Sequence, residues 1–349
     1  MRRLSYIITL ATLLNVAVAP RSFAQKKVNA PKGKEYVFDK SLGKRGVMEI
    51  YFPDDHDPGK PVPGIILFHG GAWVSGNLQD FRYQAHYFAS RGLVAATSHY
   101  ELAPRTAEEL KGRTKREVTN VSGRKAIRWF RANAKELGID PERIIAGGGS
   151  AGGQTALGAT LNHTLDGPDT DKSVDTSVAA YVLFNPANSL GKEGLEAHLK
   201  PADMPPAIAF FGTSDPYLLG YEAWQEAMVT TGAPQMQILY APWKPHAFFK
   251  IQPWADACLI EADRFLARLG YLRGKPTLPE PGAKFQKTRD IELPDEVLQR
   301  KVVIDRKTAH TREWLKRTKP KAAENAPEIT VAEALERGYL LGPSCAPSK

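Results

Sequence analysis

Three side chains of this sequence have the types that covalent acyl transfer requires. Ser150, Asp215 and His246 occur in that order, and each lies in a short loop after an apolar run that reads as a buried strand. A serine hydroxyl is a weak nucleophile until an imidazole takes its proton, and the imidazole needs a carboxylate to fix its tautomer and stabilise its charge. We therefore expect Ser150 to attack, His246 to act as base and then acid, and Asp215 to orient His246.

The serine stands in a glycine-rich turn between a strand and a helix. Residues 144–154 read Ile-Ile-Ala-Gly-Gly-Gly-Ser-Ala-Gly-Gly-Gln, and Gly148 to Gly152 match the G-x-S-x-G nucleophile elbow. The flanking glycines are expected where strand and helix come close and where the turn needs backbone angles that only glycine adopts cheaply. A phosphate-binding helix start is the alternative, but the segment has no G-x-x-x-x-G-K-[S/T] pattern.

The acid and the histidine each have competitors. Asp203 comes before its strand and is the second choice for the acid, whereas His163 and His198 lack a preceding strand. An Asp-Pro turn and a loop histidine are both ordinary surface features. It is the joint placement of Asp215 and His246, each after the end of a predicted strand, that favours the catalytic interpretation.

Alternating strands and helices have to position these residues. Such alternation predicts an α/β fold with a mostly parallel central sheet covered by helices on both faces. The predicted strands cover 35–39, 47–52, 64–68, 93–98, 144–149, 178–184, 207–211 and 235–240, and the predicted helices include 78–91, 124–137 and the segment after Ser150.

The composition is that of an ordinary globular protein, with 42% hydrophobic and 24% charged residues in 349. The formal net charge of +9 comes mainly from residues 273–349 and from the N-terminal arginines. Because the sequence has no helix-turn-helix, zinc-finger or aromatic RNA-binding motif, we expect a solvated basic surface and no nucleic-acid partner.

The first 24 residues have the pattern of a signal peptide. Arg2 and Arg3 precede an apolar run over residues 4–19, and Ser22-Phe23-Ala24 has the small-x-small form of a cleavage site. A retained N-terminal anchor is the alternative. The sequence thus predicts an exported protein, periplasmic or secreted, with no stable membrane span after cleavage.

Residues 36–272 resemble the α/β-hydrolases, and specifically the bacterial esterases similar to hormone-sensitive lipase. The motifs that carry the resemblance are the elbow, His69-Gly70-Gly71-Ala72-Trp73, residues 100–104 (Tyr-Glu-Leu-Ala-Pro) and residues 137–144 (Leu-Gly-Ile-Asp-Pro-Glu-Arg-Ile). Four residues depart from the family pattern. Ala72 replaces a third glycine, and Gly149 replaces an acidic residue. His99 and Glu101 replace the aspartate and arginine of the common Asp-Tyr-Arg, which form structural ion pairs in the family. The short segment 25–34 before the first strand implies that the family's N-terminal cap is small or absent.

The resemblance implies a serine carboxylesterase that forms an acyl-enzyme and needs no metal or cofactor. The N–H groups of Gly71, Ala72 and Ala151 would bind the oxyanion, with Gly70 as the reserve donor. The expected substrate is a short-chain, carbohydrate-linked or phenolic ester, either a small molecule or linked to polysaccharide. The oligomeric state is left open.

Two other functions compete with this one. A serine peptidase of the prolyl-oligopeptidase type has a similar catalytic domain but normally carries a propeller domain, for which this chain is too short. A non-catalytic binding protein would account for the basic extension but not for the full set of acyl-transfer residues.

The predicted domain organisation is a signal peptide at 1–24, a catalytic domain at 25–272 and a basic extension at 273–349. The extension begins with a Pro-rich linker, has weak helical spacing over 296–318 and 331–341, and is expected to be partly helical or disordered. An exported protein can oxidise its cysteines, so we expect Cys258 and Cys345 to pair and attach the extension to the core. A buried Cys258 thiol is the alternative.

Overall fold

The computed structural model describes residues 30–166, 171–187, 204–231, 236–289, 293–324 and 326–347. The predicted signal peptide, the alternative acid Asp203 and His198 lie outside these residues. None of the helices in the described ranges is long and apolar enough to cross a membrane.

Eight strands form the central sheet, in the spatial order β1-β2-β4-β3-β5-β6-β7-β8. The first two strands pair in antiparallel fashion, and β3 to β8 are mutually parallel. This agrees with the predicted mostly parallel sheet. The strands are β1 (Lys34–Val37), β2 (Val47–Tyr51), β3 (Val62–Phe68), β4 (Val94–Ser98), β5 (Ile139–Gly149), β6 (Ala180–Phe184), β7 (Ala207–Gly212) and β8 (Gln237–Ala241).

Helices cover both faces of this sheet. One apolar core contains residues of α3, α5 and α6, and a second, on the opposite face, contains residues of α1 and α7. Because the inner strands β6 and β7 are buried on both faces, they are apolar along their whole length. The helices are α1 (Arg82–Ser90), α2 (Ala107–Leu110), α3 (Lys115–Ala132), α4 (Ala134–Leu137), α5 (Ala151–Leu161), α6 (Leu218–Thr231) and α7 (Trp254–Arg268).

Two helices differ from their predicted bounds. The helix predicted over 124–137 begins at Lys115, because Thr114 and Glu117 close a capping box at its start, and it ends at Ala132 before the short α4. The helix predicted over 78–91 divides into a short 3-10 helix, Leu78–Asp80, and α1.

The C-terminal extension folds as a small unit around its own sheet, and the expectation of a partly helical or disordered tail missed its strands. Four short strands pair in the order β11-β9-β10-β12, with an apolar core that includes Val302, Ala309 and Leu341. Strands this short carry too little alternating pattern to be recognised in sequence. The elements are α8 (Asp295–Leu298), β9 (Lys301–Asp305), β10 (Thr308–His310), α9 (Arg312–Thr318), α10 (Pro320–Ala323), β11 (Glu328–Thr330), α11 (Val331–Glu336) and β12 (Leu340–Leu341).

The predicted disulfide is wrong, because Cys258 and Cys345 are both free and buried. Cys258 belongs to α7 and faces the core that this helix covers. Cys345 lies in the core of the extension, where its thiol donates a hydrogen bond to the Ala309 carbonyl oxygen at 3.3 Å. The two thiols therefore serve as small apolar core groups in separate clusters. The extension is joined to the catalytic domain by non-covalent contacts.

Only four described residues, 30–33, precede β1, and they form no helix. Within the described part of the chain there is thus no helical cap ahead of the first strand. The expectation of a small or absent N-terminal cap stays a prediction, because residues 1–29 lie outside the described residues.

Candidate active site

Ser150 occupies the strained turn that the elbow motif predicts. Its backbone has φ 53° and ψ −123°, between the end of β5 and the start of α5. A Cβ atom at Gly148 or Gly152 would collide with the Phe68 carbonyl oxygen, and Gly148 also has a positive φ. A backbone conformation with φ near 50° costs free energy for a non-glycine residue, and it persists only where the surrounding structure enforces it. The turn holds the Ser150 side chain at the carboxyl edge of the sheet.

The three predicted side chains form a continuous chain of hydrogen bonds. Nε2 of His246 lies 2.7 Å from Oγ of Ser150, and Nδ1 of His246 lies 2.8 Å from Oδ2 of Asp215. Since a carboxylate only accepts, Nδ1 carries the proton and Nε2 is left to accept from the serine hydroxyl. This geometry allows the serine proton to pass to the imidazole.

Asp215 is fully buried, whereas the side chain of His246 is 30% exposed. The second carboxylate oxygen of Asp215, Oδ1, accepts from the backbone N–H of Tyr217 at 3.0 Å. Both oxygens are therefore engaged, which fixes the carboxylate plane relative to the imidazole. The exposed edge of His246 faces the cavity where a substrate would bind.

Asn185 is a residue of the site that the sequence reasoning missed. It follows β6, is fully buried and has φ 38°, and its Nδ2 lies 3.1 Å from Nδ1 of His246. Its Oδ1 accepts from the backbone N–H of Ala247 at 3.2 Å. Asn185 thus holds the loop that carries His246. Its place at the carboxyl end of a parallel strand was the available signal, since this edge of the sheet carries the other site residues.

The loop that follows β3 runs beside the elbow because Phe68 is paired in register with Gly148. Its backbone turns sharply, with φ 125° at Gly71 and 51° at Ala72. Among the described residues, no hydrogen-bond acceptor is found for the N–H groups of Gly71 or Ala72. Ala151 is the first residue of α5, so its N–H also lies ahead of the intrahelical bonds. These three amides, together with the adjacent Gly70, are free to bind an oxyanion.

Two buried rings, those of His69 and Tyr100, stack on each other beside this loop. Burial lowers the pKa of His69 to about 3, so its ring is neutral, and its Nδ1 donates to the Gly70 carbonyl oxygen at 2.8 Å. His99 lies 3.2 Å from His69 and 3.1 Å from Arg45, and burial followed by the Arg45 charge lowers its pKa to about 4. Where the family has an aspartate in an ion pair, this chain therefore has a neutral histidine, whose Nδ1 lies within hydrogen-bond distance of both Arg45 and His69 and can bond with only one of them at a time.

The departure at Gly149 has a steric cause. A Cβ atom at this position would lie 2.5 Å from the Phe249 ring and 3.1 Å from the Phe81 ring. The two rings stack with their centroids 5.6 Å apart and pack against Phe184. Aromatic side chains thus fill the space beside the elbow that an acidic side chain would need.

A cavity of about 530 Å³ opens directly onto Ser150 and His246. Its walls are mostly apolar, and two basic side chains, Arg105 and Lys250, stand among them. The described residues contain no cluster of histidine, cysteine and acidic side chains that could hold a metal ion.

The chain is similar in sequence to known esterases. The family model described as BD-FAE matches residues 48–194. The chain is 26% identical to esterase LipQ of Mycobacterium tuberculosis, over 78% of this chain and 71% of that protein. It is 32% identical to carboxylesterase NlhH of the same species, over 37% of this chain and 40% of that protein.

Solved structures extend the likeness to most of the catalytic domain. A propionate-bound esterase of Thermogutta terrifontis is 31% identical, with a TM-score of 0.61, over 70% of this chain and 97% of that one. A butyrate-bound structure of that protein matches equally well, with a TM-score of 0.61. With this similarity and the elbow geometry together, the chain belongs to the α/β-hydrolase superfamily, among the esterases similar to hormone-sensitive lipase.

Proposed function

We propose that this esterase hydrolyses carboxylic esters through an acyl-enzyme formed on Ser150. The observation that carries the proposal is the hydrogen-bonded series Ser150–His246–Asp215, with the serine held at φ 53° beside unpaired amides. His246 would take the serine proton during attack on the ester carbonyl and return it to the departing alcohol. Water would then enter by the same route and release the acid.

Backbone amides would supply the electrostatic part of the mechanism. The tetrahedral intermediate carries a negative oxygen, and N–H groups fixed in advance stabilise it without reorganisation. We propose Gly71, Ala72 and Ala151 as these donors, and Gly70 as the reserve. Because they are main-chain groups, Ala72 serves as well as the glycine that the family often has. The roles assigned to these residues need no metal or cofactor.

Short acyl chains suit the cavity best. The Thermogutta esterase is bound to propionate and butyrate in solved structures, and the cavity of about 530 Å³ here has room for an acyl chain of that size with part of an alcohol. We propose acylated carbohydrates or phenolic esters as the natural class, because the signal-peptide pattern of residues 1–24 would export the enzyme to compartments where such esters occur.

The acyl-enzyme is tested by covalent trapping. The Thermogutta esterase has been solved in a form phosphorylated by paraoxon, and we expect paraoxon to inactivate this chain with one diethylphosphoryl group per molecule, found on the peptide that contains Ser150. Labelling of another residue together with loss of activity would refute Ser150 as nucleophile. Hydrolysis of peptide amides in preference to esters would instead favour the peptidase alternative.

Export is proposed on the N-terminal sequence alone. Expression of the full chain with its first 24 residues should yield a mature periplasmic or secreted protein that begins at Gln25. N-terminal sequencing of the exported fraction checks this, and a cytoplasmic protein with an intact N-terminus would contradict it.

A further inference from the structure

The catalytic cavity has a basic rim. Of its described lining residues, Arg105 and Lys250 are charged and basic, and none is acidic. The Lys250 ammonium is 2.9 Å from Asp80 and is largely neutralised by it. Arg105 is exposed and has no acidic partner among the described residues. Its positive charge is therefore available to whatever enters the cavity.

A second cavity, of about 400 Å³, continues this basic surface. It shares Trp73 with the catalytic cavity, and Arg113, Lys115 and Arg116 line it. The Arg116 guanidinium lies 5.2 Å from the centroid of the Trp73 ring, whose Nε1 donates to Gln154. Trp73 thus lies between the two cavities, and its hydrogen bond to Gln154 holds its ring in place.

Two acidic side chains of the same segment form hydrogen bonds within the segment. Glu109 accepts from Thr106, and Glu117 accepts from Thr114, where each closes the capping box at a helix start. Neither glutamate lines either cavity. An exposed arginine such as Arg105 at the mouth of a cleft attracts and orients negatively charged ligands.

We propose that the preferred substrate is an anionic ester, one that bears a carboxylate close to the scissile bond, and that Arg105 recognises this carboxylate. The inference rests on the proposed esterase function and narrows its substrate class to carbohydrate or phenolic esters that also bear a carboxylate. A planar guanidinium matches a carboxylate in two parallel hydrogen bonds, which gives orientation as well as attraction. Arg113 and Lys115, which line the second cavity, would add long-range attraction.

Two pairs of isosteric esters test the proposal. Monomethyl glutarate is compared with its carboxamide, methyl 4-carbamoylbutanoate, to place the charge on the acyl side. The ester 3-acetoxypropanoate is compared with 3-acetoxypropanamide to place it on the alcohol side. We expect kcat/KM to favour the anion at least threefold in one pair at low salt, and the preference to shrink at high salt because exposed charges are screened.

Arg105→Gln should lower kcat/KM for the anion by about two- to fivefold, the range typical of an exposed ion pair, and should change kcat/KM for the carboxamide by a smaller factor. Arg317→Gln, which removes an equal exposed charge from the extension, serves as the matched control and should change neither. Equal rates within both pairs, or a preference that ignores salt and Arg105, would overturn the anionic substrate and leave the esterase function intact. If none of the four esters were cleaved, both the anionic substrate and the esterase function would be overturned.

A different observation supports a role for the C-terminal extension. Oγ of Ser214, the buried residue directly before Asp215, donates to the carbonyl oxygen of Leu341 in β12 at 2.5 Å. The turn with Asp215 is also bound to the loop with His246, since Trp243 N–H donates to Thr213 Oγ1 at 2.8 Å. The Trp243 side chain in turn packs against the apolar core of the extension.

We infer from these contacts that the extension positions the catalytic acid, with Ser214 as a positioning residue. Asp215 must stay within 2.8 Å of His246 for the relay to work, and small displacements of a catalytic group are costly in rate. The turn before Asp215 is thus bound both to the loop that carries His246 and to β12. Loss of the Ser214 hydrogen bond would remove the bond to β12.

The test separates positioning from general stability. Ser214→Ala should lower kcat by about five- to tenfold on a short neutral ester, with KM within a factor of two, because the residue does not line the substrate cavity. Ser344→Ala removes a hydrogen bond of the extension to Thr311 N–H instead, and should leave kcat unchanged at equal loss of thermal stability. An unchanged kcat in Ser214→Ala, or an equal loss in Ser344→Ala, would overturn the inference.

Discussion

Nε2 of His246 and Oγ of Ser150 lie 2.7 Å apart although 96 residues separate them in sequence. The contact arises because β5 and β8 end at the same edge of one parallel sheet, so the loops that follow them converge. A parallel sheet brings its carboxyl ends together whatever the chain distance between them. The chemistry of the site depends on this relationship more than on any other.

Ser150→Ala should abolish nearly all turnover of a short-chain ester such as p-nitrophenyl acetate. The substitution removes only one hydroxyl at the cavity surface, so no core void forms and the thermal unfolding temperature should stay within a few degrees. Ser173→Ala, in an exposed loop, is the control. Undiminished esterase activity in Ser150→Ala would refute the mechanism.

Asp215→Asn and His246→Ala should each lower kcat by about 10³-fold or more, and the double variant should be little worse than either single one. Members of a relay fail together because each step needs all of them. Steady-state kinetics on one ester measures the effect. Additive losses would argue that the two side chains act independently, and a comparable loss in Asp203→Asn would reopen the choice of acid.

Asn185→Ala should reduce kcat by roughly tenfold, since the amide holds the Ala247 N–H and lies against the His246 ring. KM should change little, because the residue is not among those that line the cavity. Measurement of kcat and KM on the same ester distinguishes a role in holding His246 from a role in substrate binding. A rise in KM at constant kcat would place Asn185 in substrate binding instead.

Stability should fall as the solution is acidified below about pH 6.5, by up to about 1.4 kcal/mol per pH unit from His69. The folded pKa of His69 is lowered to about 3 by burial, so below pH 6.5 the unfolded chain takes up a proton that the folded chain resists. Above pH 6.5 both states are neutral and the effect vanishes. His99, with a pKa lowered to about 4, acts in the same direction.

Urea unfolding at pH 6.5, 5.5 and 4.5 measures this dependence. His69→Gln should flatten the slope of unfolding free energy against pH, whereas the same change at the exposed His86 should not. A slope that is the same in all three proteins would show that His69 does not contribute.

Thiol titration of the denatured, unreduced protein should find two free thiols per chain. Cys258 and Cys345 are buried in separate cores, and burial raises the pKa of each thiol, which slows oxidation in the folded state. In native protein both should react slowly. Fewer than two thiols after denaturation would restore the disulfide.

The sequence was sufficient to predict the catalytic fold. The alternation of apolar strands and amphipathic helices is a local property, and strands buried on both faces are apolar throughout, so seven of the eight sheet strands lie within a few residues of their predicted ranges. The exception is β5, which starts at Ile139, five residues before its predicted start, because its first half is polar and exposed.

The extension shows where local pattern is not enough. Its strands have two to five residues, and β10 pairs with both β9 and β12. Such short segments gain their stability from pairing with distant partners, which a single sequence does not record. The disulfide failed for the same reason, because the separation of Cys258 from Cys345 is set by how two cores pack.

The sequence by itself predicted the identity and order of the proposed reacting groups, because nucleophile elbow, acid and histidine each follow a strand and obey steric rules that are local. The tertiary structure alone decided that Asn185 joins them, that His99 replaces an ion pair by a neutral imidazole, and that Leu341 binds the turn ahead of Asp215. These contacts join segments far apart in the chain. Their energies depend on distance and burial, which arise only when the sheet brings the segments together.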